Sequence, residues 1–404
     1  MAESPVVVLD IGASKVVCLV GEEHEDGELR LLGCGCSPCA GLQRSRVVDM
    51  PHLVEAIRAA VGEAESTSGL RITGAYAGLG GAEIRARSAR STVAVGGQSR
   101  PIDDNDVSRA MTAAEQAAPT EGEILLHRIV QRFAVDGQPV NRPERLYGSK
   151  LEVETLTVSA PRQACTMLQD AADQAGIEIV GFILESLAAA KAVISPDERG
   201  MGVGVLDIGA GSSGLAVFSD TVRQVADIPL GGDDISRDLS VVLSMTLRNA
   251  EQVKREYGGV CCPAEEGEET VTFQTTAGRS RTLTRQQLDE IIEARQREIL
   301  EMVRDSVRSV DQGHRLAAGF VITGGGALLR RLPELGEEVL GMPVRIGVPQ
   351  HVTGSDSMLD PQYATPIGLI RCALEQDMQD TVTTPVSRPA GGWTRRLSRL
   401  LGFV

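Results

Sequence analysis

Two stretches decide how this chain is to be read: Val6-Val7-Val8-Leu9-Asp10-Ile11-Gly12-Ala13 near the start, and Val203-Gly204-Val205-Leu206-Asp207-Ile208-Gly209-Ala210 near the middle. In each, a short apolar run ends on Asp and passes into a glycine turn followed by small or hydroxyl residues. That is the pattern of a buried strand entering a tight turn. Two copies half a chain apart point to two similar lobes rather than a tandem array. A third glycine turn, Val321-Ile322-Thr323-Gly324-Gly325-Gly326, closes another short strand, and Ala327 to Leu332 after it reads as a helix.

Between these strands the apolar spacing is helical. Asp49 to Ala64, Arg162 to Ala175 and Leu288 to Val310 each carry one apolar stripe. Strands alternating with helices give an α/β architecture. Two segments break the alternation. Residues 83–162 hold a charged helix candidate (Asp103 to Ala118) and two strand-like runs (Ile124 to Val135, Leu151 to Ser159), an α+β insertion in the first lobe. Residues 233–315 form a second insertion, with Glu265 to Glu269 as a solvated loop. The expected division is 1–82 and 163–195 for the first lobe and 196–232 and 316–375 for the second, each around its insertion. Residues 376–391 follow as a flexible Thr-, Pro-, Ser- and Gly-containing linker, and 392–404 as a terminal helix.

Composition bounds the function. The 404 residues suit two to three domains at roughly 150 each, and 42% hydrophobic content excludes disorder throughout. A net charge of −15 argues against nucleic acid, whose phosphates need clustered cations. No apolar run reaches the roughly 18 residues of a membrane span, and the start reads as a strand rather than a signal peptide. A soluble, cytoplasmic, multi-domain protein is therefore expected. The eight cysteines are irregularly spaced. Cys34, Cys36 and Cys39 offer three thiolates to a metal, but without the paired spacing or fourth ligand of a structural zinc site, so reduced thiols are expected.

The repeated turns suit ATP held between lobes. Such a site needs backbone N–H groups around the phosphates, a cation on them, carboxylates for a hydrated Mg²⁺, and a side-chain-free strip beside the nucleoside. Asp10 and Asp207 each stand where a strand gives way to its turn, so facing lobes aim both carboxylates into one cleft. Gly12, Ala13 and Ser14 then oppose Gly209, Gly211, Ser212 and Ser213 as two phosphate cradles, with Lys15 as the cation. Gly324, Gly325 and Gly326 let the backbone approach ribose and base. No Walker A or Rossmann glycine pattern opens a helix, which excludes those two nucleotide folds.

With these motifs in order, the chain resembles the actin, sugar-kinase and heat-shock chaperone ATPase superfamily. Leu184-Glu185-Ser186-Leu187-Ala188-Ala189-Ala190 and Tyr363-Ala364-Thr365-Pro366-Ile367-Gly368-Leu369 are similar to its two connecting helices, where small residues allow a close crossing. Within it, the chain resembles the bacterial FtsA cell-division family. The likeness rests on Phe133-Ala134-Val135-Asp136-Gly137, on Ile228 through Leu239, on Ala250 through Gly258, and on other signatures from about residue 5 to 375. It implies a two-lobed actin-like ATPase fold with lobes 1A and 2A and insertions 1C and 2B. It also implies that Asp10 and Asp207 hold Mg²⁺ through water, that Asp207 or Glu185 polarises the attacking water, and that Glu251 and Lys254 grip ribose and adenine. Where the family tends to Gly-Gly-Gly-Thr-Thr-Asp, this chain has Gly209 through Gly214. The acid is missing at Gly214, which bears on hydrolysis rate rather than on phosphate binding. His127 lies in the insertion and is expected to be structural.

On a helical wheel Trp393, Leu397, Leu400, Leu401, Phe403 and Val404 share one arc, flanked by Arg395, Arg396 and Arg399. Twelve residues are too short to span a bilayer, but an apolar face with basic flanks suits the interface of an anionic membrane. These three arginines leave the rest of the chain at −18. By resemblance, the protein binds ATP with at most slow hydrolysis and polymerises on the inner face of the plasma membrane. It tethers FtsZ filaments there through a 2B site for the FtsZ C-terminal peptide, and recruits later division proteins through 1C. A carbohydrate kinase of the superfamily and an actin-like pilus-assembly scaffold are the alternatives. The first would need a base beside the γ-phosphate, and the second would lack the basic tail.

Overall fold

The computed structural model describes residues 5–24, 27–81, 83–96, 99–114, 120–310, 316–354 and 358–378. In chain order the first lobe opens with β1 (Val6–Ile11), β2 (Lys15–Glu23), β3 (Leu29–Pro38), the short hairpin β4–β5 (Leu42–Gln43, Arg46–Val47), α1 (Met50–Ser68) and β6 (Gly74–Leu79). An inserted unit follows: β7 (Arg85–Ala94), β8 (Arg100–Pro101), α2 (Asp104–Ala114), β9 (Glu123–Val135), β10 (Gln138–Val140), β11 (Tyr147–Gly148) and β12 (Lys150–Pro161). The chain returns through α3 (Arg162–Ala175) and β13 (Glu178–Leu184), and leaves the lobe by α4 (Glu185–Val193) and α5 (Pro196–Met201).

The second lobe repeats the plan with β14 (Val203–Ile208), β15 (Ser213–Ser219) and β16 (Thr221–Ile228). Then come α6 (Gly232–Leu243), α7 (Leu247–Tyr257), the hairpin β17–β18 (Thr270–Gln274, Ser280–Thr284) and α8 (Arg285–Val310). The chain closes with β19 (Phe320–Thr323), α9 (Leu332–Leu340), β20 (Val344–Ile346), β21 (Val352–Thr353) and α10 (Ala364–Met378).

The duplication seen in the two Asp-ended strands extends to whole sheets. The first is ordered β13-β6-β1-β2-β3, with β21 added at its edge; the second is β20-β19-β14-β15-β16. In both, a three-stranded antiparallel meander is extended on one side by two parallel strands. β1 and β14 are buried along almost their whole length, which explains their near-continuous apolar sequence. The inserted unit builds its own sheet, β10-β9-β12-β7, over a small core of Val95, Ile102, Ala110, Leu151 and Val153. It is joined to the second lobe by Gln131, whose amide donates to the Val222 and Arg223 carbonyls on β16 at 2.9 and 3.1 Å.

Two sequence expectations need correction or bounding. Ala327 to Leu332 is not one helix: Gly325–Leu328 form a 3₁₀ turn and α9 begins only at Leu332. Arg331 takes a left-handed backbone (φ 62°) that breaks the run, and Pro333 sits in the first turn of the new helix, where its missing N–H does no harm. Of the tail, residues 376–378 are the last residues of α10; the rest of the linker and the terminal arc from Trp393 to Val404 lie outside the described residues. Among the described residues no helix is long and apolar enough to cross a membrane.

Candidate functional site

The two Asp-ended turns are built alike. Gly12 N–H donates to the Lys15 carbonyl and Gly209 N–H to the Ser212 carbonyl, each at 3.0 Å. A Cβ would stand 3.2 and 3.1 Å from those oxygens, so both tight turns favour glycine. The turns open on one cleft of about 650 Å³ between the lobes. Asp10, Gly12, Ala13, Ser14, Lys15, Glu185, Asp207, Gly209, Glu251, Lys254, Gly324, Gly325 and Gly326 all line it. Gly211, Ser212 and Ser213 are not on its wall. Ser213 in particular is fully buried and turns its hydroxyl to the Leu230 carbonyl at 2.8 Å. The glycine strip is close-fitting: Gly324 (φ 82°) leaves no room for a Cβ, which would lie 2.2 Å from Asp207 Oδ1, whereas Gly325 faces open space.

Acid dominates the cleft floor. Burial, then Asp207, push the Asp10 carboxyl up to about 7, with Lys15 opposing. Asp207 is raised by burial too, against a hydrogen bond of 2.6 Å that its Oδ2 accepts from Thr365. Glu185, the first residue of α4, is pushed well above the usual carboxylate range by burial and then by Asp10, Asp207 and Asp227. Glu185 lies along the end of β6, where a Cβ on Gly80 would meet its Oε2 at 2.3 Å. Burial pulls the Lys15 ammonium below its ordinary range; it donates to Gln362 Oε1 at 2.9 Å and stands 4.1 Å over the Tyr363 ring. Glu251 and Lys254 form an ion pair of 2.6 Å, with Lys254 also donating to the Gly232 carbonyl and Ser236 to Glu251.

Sequence patterns did not single out Gln362, Thr365 or Asp227. The first two follow no glycine turn and reach the cleft from the 3₁₀ turn Pro361–Tyr363 and the first turn of α10. Asp227 carried a signal, an acid next to the buried end of a strand. His127 does not line the cleft. Its Nε2 accepts the Leu184 N–H at 2.9 Å, and burial pulls the imidazole down to about 4. Cys34 and Cys36 lie on β3, with Cys36 exposed at the cleft edge. Among the described residues no three His, Cys, Asp or Glu side chains are grouped to hold a metal ion directly.

The site and its duplicated frame can be set beside known proteins. Residues 204–368 match the family described as Cell division protein FtsA, and residues 81–159 match the SHS2 domain inserted in FTSA. Cell division protein FtsA of Pseudomonas aeruginosa is 34% identical over 386 residues, 95% of this chain and 92% of that one. The chain belongs to the FtsA family. FtsA of Bacillus subtilis is 35% identical over 91% of this chain and 83% of its own length; that of Escherichia coli K12 is 29% identical over 98% and 97%.

Solved structures agree on the fold. A chain of the PilM-PilN type IV pilus biogenesis complex aligns with TM-score 0.64 at 20% identity, covering 91% of this chain and 98% of that one. The MamK double helical filament aligns at 0.54 and 14% identity (92% and 99%), and MreB5 of Spiroplasma citri bound to ADP at 0.53 and 14% (93% and 98%). The fold is the two-lobed actin-like ATPase fold, with the SHS2 unit inserted in its first lobe. FtsA membership replaces the carbohydrate-kinase and pilus-scaffold alternatives. The PilM likeness extends to architecture and no further.

Proposed function

We propose that this FtsA-family chain binds ATP with Mg²⁺ in the inter-lobe cleft and polymerises on the cytoplasmic face of the plasma membrane at the division site. There it tethers FtsZ filaments to the bilayer and recruits later septum proteins. The observation that carries the nucleotide part is the pair of matching turns that aim Asp10 and Asp207 into one cleft, with Lys15 beside them.

The donor set fits the ligand. Gly325 faces open space, Gly12, Ala13 and Ser14 of one turn and Gly209 and Ala210 of the other line the cleft, and the crowded carboxylates repel one another until a cation stands among them. Mg²⁺, when bound, neutralises charge on phosphates and carboxylates alike. Asp10 and Asp207 would hold it through water, Lys15 would leave Gln362 for a phosphate, and Glu251 with Lys254 would face ribose and adenine. Glu185 or Asp207 would polarise the attacking water, and the bare Gly214 goes with slow turnover.

The membrane part rests on the arc from Trp393 to Val404 with its three arginines. Residues 233–315 would receive the FtsZ C-terminal peptide and 83–162 the later division proteins. Co-sedimentation of the full chain with anionic liposomes, with and without ATP and FtsZ, tests the tether. Leu400→Glu should leave the protein in the supernatant; unchanged pelleting of that variant would overturn the tether.

A further inference from the structure

One more carboxylate stands behind the cleft wall, within reach of the Asp207 and Glu185 that line it. Asp227 of β16 lies directly opposite Gly214 of β15 in the antiparallel register, so the two share a face. A Cβ on Gly214 would be 3.7 Å from Asp227 Oδ1 and 3.0 Å from the Cβ of Ser186. The Asp227 carboxylate thus stands in contact with the position that a side chain at 214 would take. The Gly81 N–H, beyond the end of β6 in the other lobe, donates to it. Its Oδ2 is shut from solvent with no hydrogen-bond partner, and both Asp207 and Glu185 stand within reach of its charge. A carboxylate oxygen buried without a partner is unfavourable, and such groups in native folds are completed by water or an ion. Beside two other carboxylates, Asp207 and Glu185, the completing partner with the right charge is a water in the shell of a divalent cation.

We propose that Asp227 is a positioning residue of the hydrated-cation seat, standing on β16 beside the side-chain position that Gly214 leaves bare on β15. This rests on the nucleotide site proposed above. Because its anchor is Gly81, Asp227 also ties that seat to the opposite lobe.

The test uses the full chain and a fluorescent ATP analogue, reading the gain in affinity that Mg²⁺ confers. Asp227→Asn keeps the shape and an acceptor for Gly81 but loses the charge, and the Mg²⁺-dependent gain should fall about tenfold, as for other residues that orient a metal site from its outer layer. A second variant, Asp227→Gly with Gly214→Asp, moves the carboxylate to the neighbouring strand and should restore most of the gain. An unchanged gain in Asp227→Asn, or no restoration in the folded double variant, overturns the proposal. A parental chain that does not bind the analogue overturns the nucleotide site itself, and the two failures are thereby told apart.

Discussion

Gly368 of α10 packs so tightly on α4 that a Cβ on it would stand 1.7 Å from the Ala188 carbonyl oxygen. The two helices therefore cross backbone to backbone. Each also delivers a residue to the cleft: α4 begins with Glu185, and α10 carries the Thr365 that bonds Asp207. Gly368→Ala must push the helices apart, at a cost of about 1–3 kcal/mol for an overpacked core, and should weaken nucleotide binding with it. Gly62→Ala is the matched control. Gly62 is exposed in the middle of α1 with nothing within 4 Å of its Cβ position, so this change should stabilise by about 0.5–1 kcal/mol. Urea denaturation of both variants reads the opposite signs.

The raised carboxyl of Asp10 predicts a pH dependence. The folded chain keeps a proton until about pH 7 that the unfolded chain releases near its ordinary 3.8. Folding without ligand is therefore favoured on the acid side, and stability is lost as pH rises through that window. Asp10→Asn should flatten the loss and stabilise the unliganded chain at about pH 8, with a ceiling of about 1.4 kcal/mol for each pH unit that the window spans. The same change should abolish stabilisation by ATP with Mg²⁺. Denaturation at pH 6 and 8, with and without ligand, checks both outcomes.

Local patterns made the frame legible, and tertiary contacts hid the rest. Val6 to Ile11 and Val203 to Ile208 are strands because their burial is continuous, and Arg162 to Ala175 is a helix over the span its periodicity predicts. The cleft residues that follow a glycine turn were legible for the same reason. Thr365 and Gln362 were not, since the small residues beside them mark a helix crossing rather than a site. Apolar period alone ran Ala327 to Leu332 together as a helix, although Pro333 carried the signal for a later start. Ser213 shows the limit of motif transfer: its hydroxyl belongs to the right turn yet is used up on Leu230.

In the inserted unit, Asp106 is 1% exposed and accepts from Arg100 and Arg109, at 2.7 and 2.5 Å. It also closes a reciprocal cap at the start of α2, taking the Asp103 N–H at 3.1 Å while Asp103 Oδ1 takes its own N–H at 2.9 Å. Asp106→Ala leaves an unpaired N–H and two arginines without their shared acceptor. Both arginines are about half exposed and keep other acceptors, so the expected cost is about 1–2 kcal/mol, confined to this unit because its core is separate. Hydrogen exchange should accelerate in α2, β7 and β12 before it does in β1 or β14.

His127 sets a pH dependence of the opposite sign. Its imidazole accepts the N–H of Leu184, the last residue of β13 and the one before Glu185. Burial pulls its pKa down to about 4 from the ordinary 6.5. The unfolded chain takes up the proton first, so this contribution is fully present above about pH 6.5 and is lost as pH falls towards 4. The ceiling is about 3 kcal/mol. His127→Gln keeps an acceptor for Leu184 but does not titrate. Relative to the parent it should lose at most about 1 kcal/mol at pH 7.5, the worth of an ordinary hydrogen bond, and be the more stable chain at pH 5. His127→Phe leaves the Leu184 N–H unpaired and should be weaker than the Gln variant at both. Urea denaturation at the two pH values separates these outcomes, and a Gln variant that loses as much stability towards acid as the parent would show that other groups carry the effect.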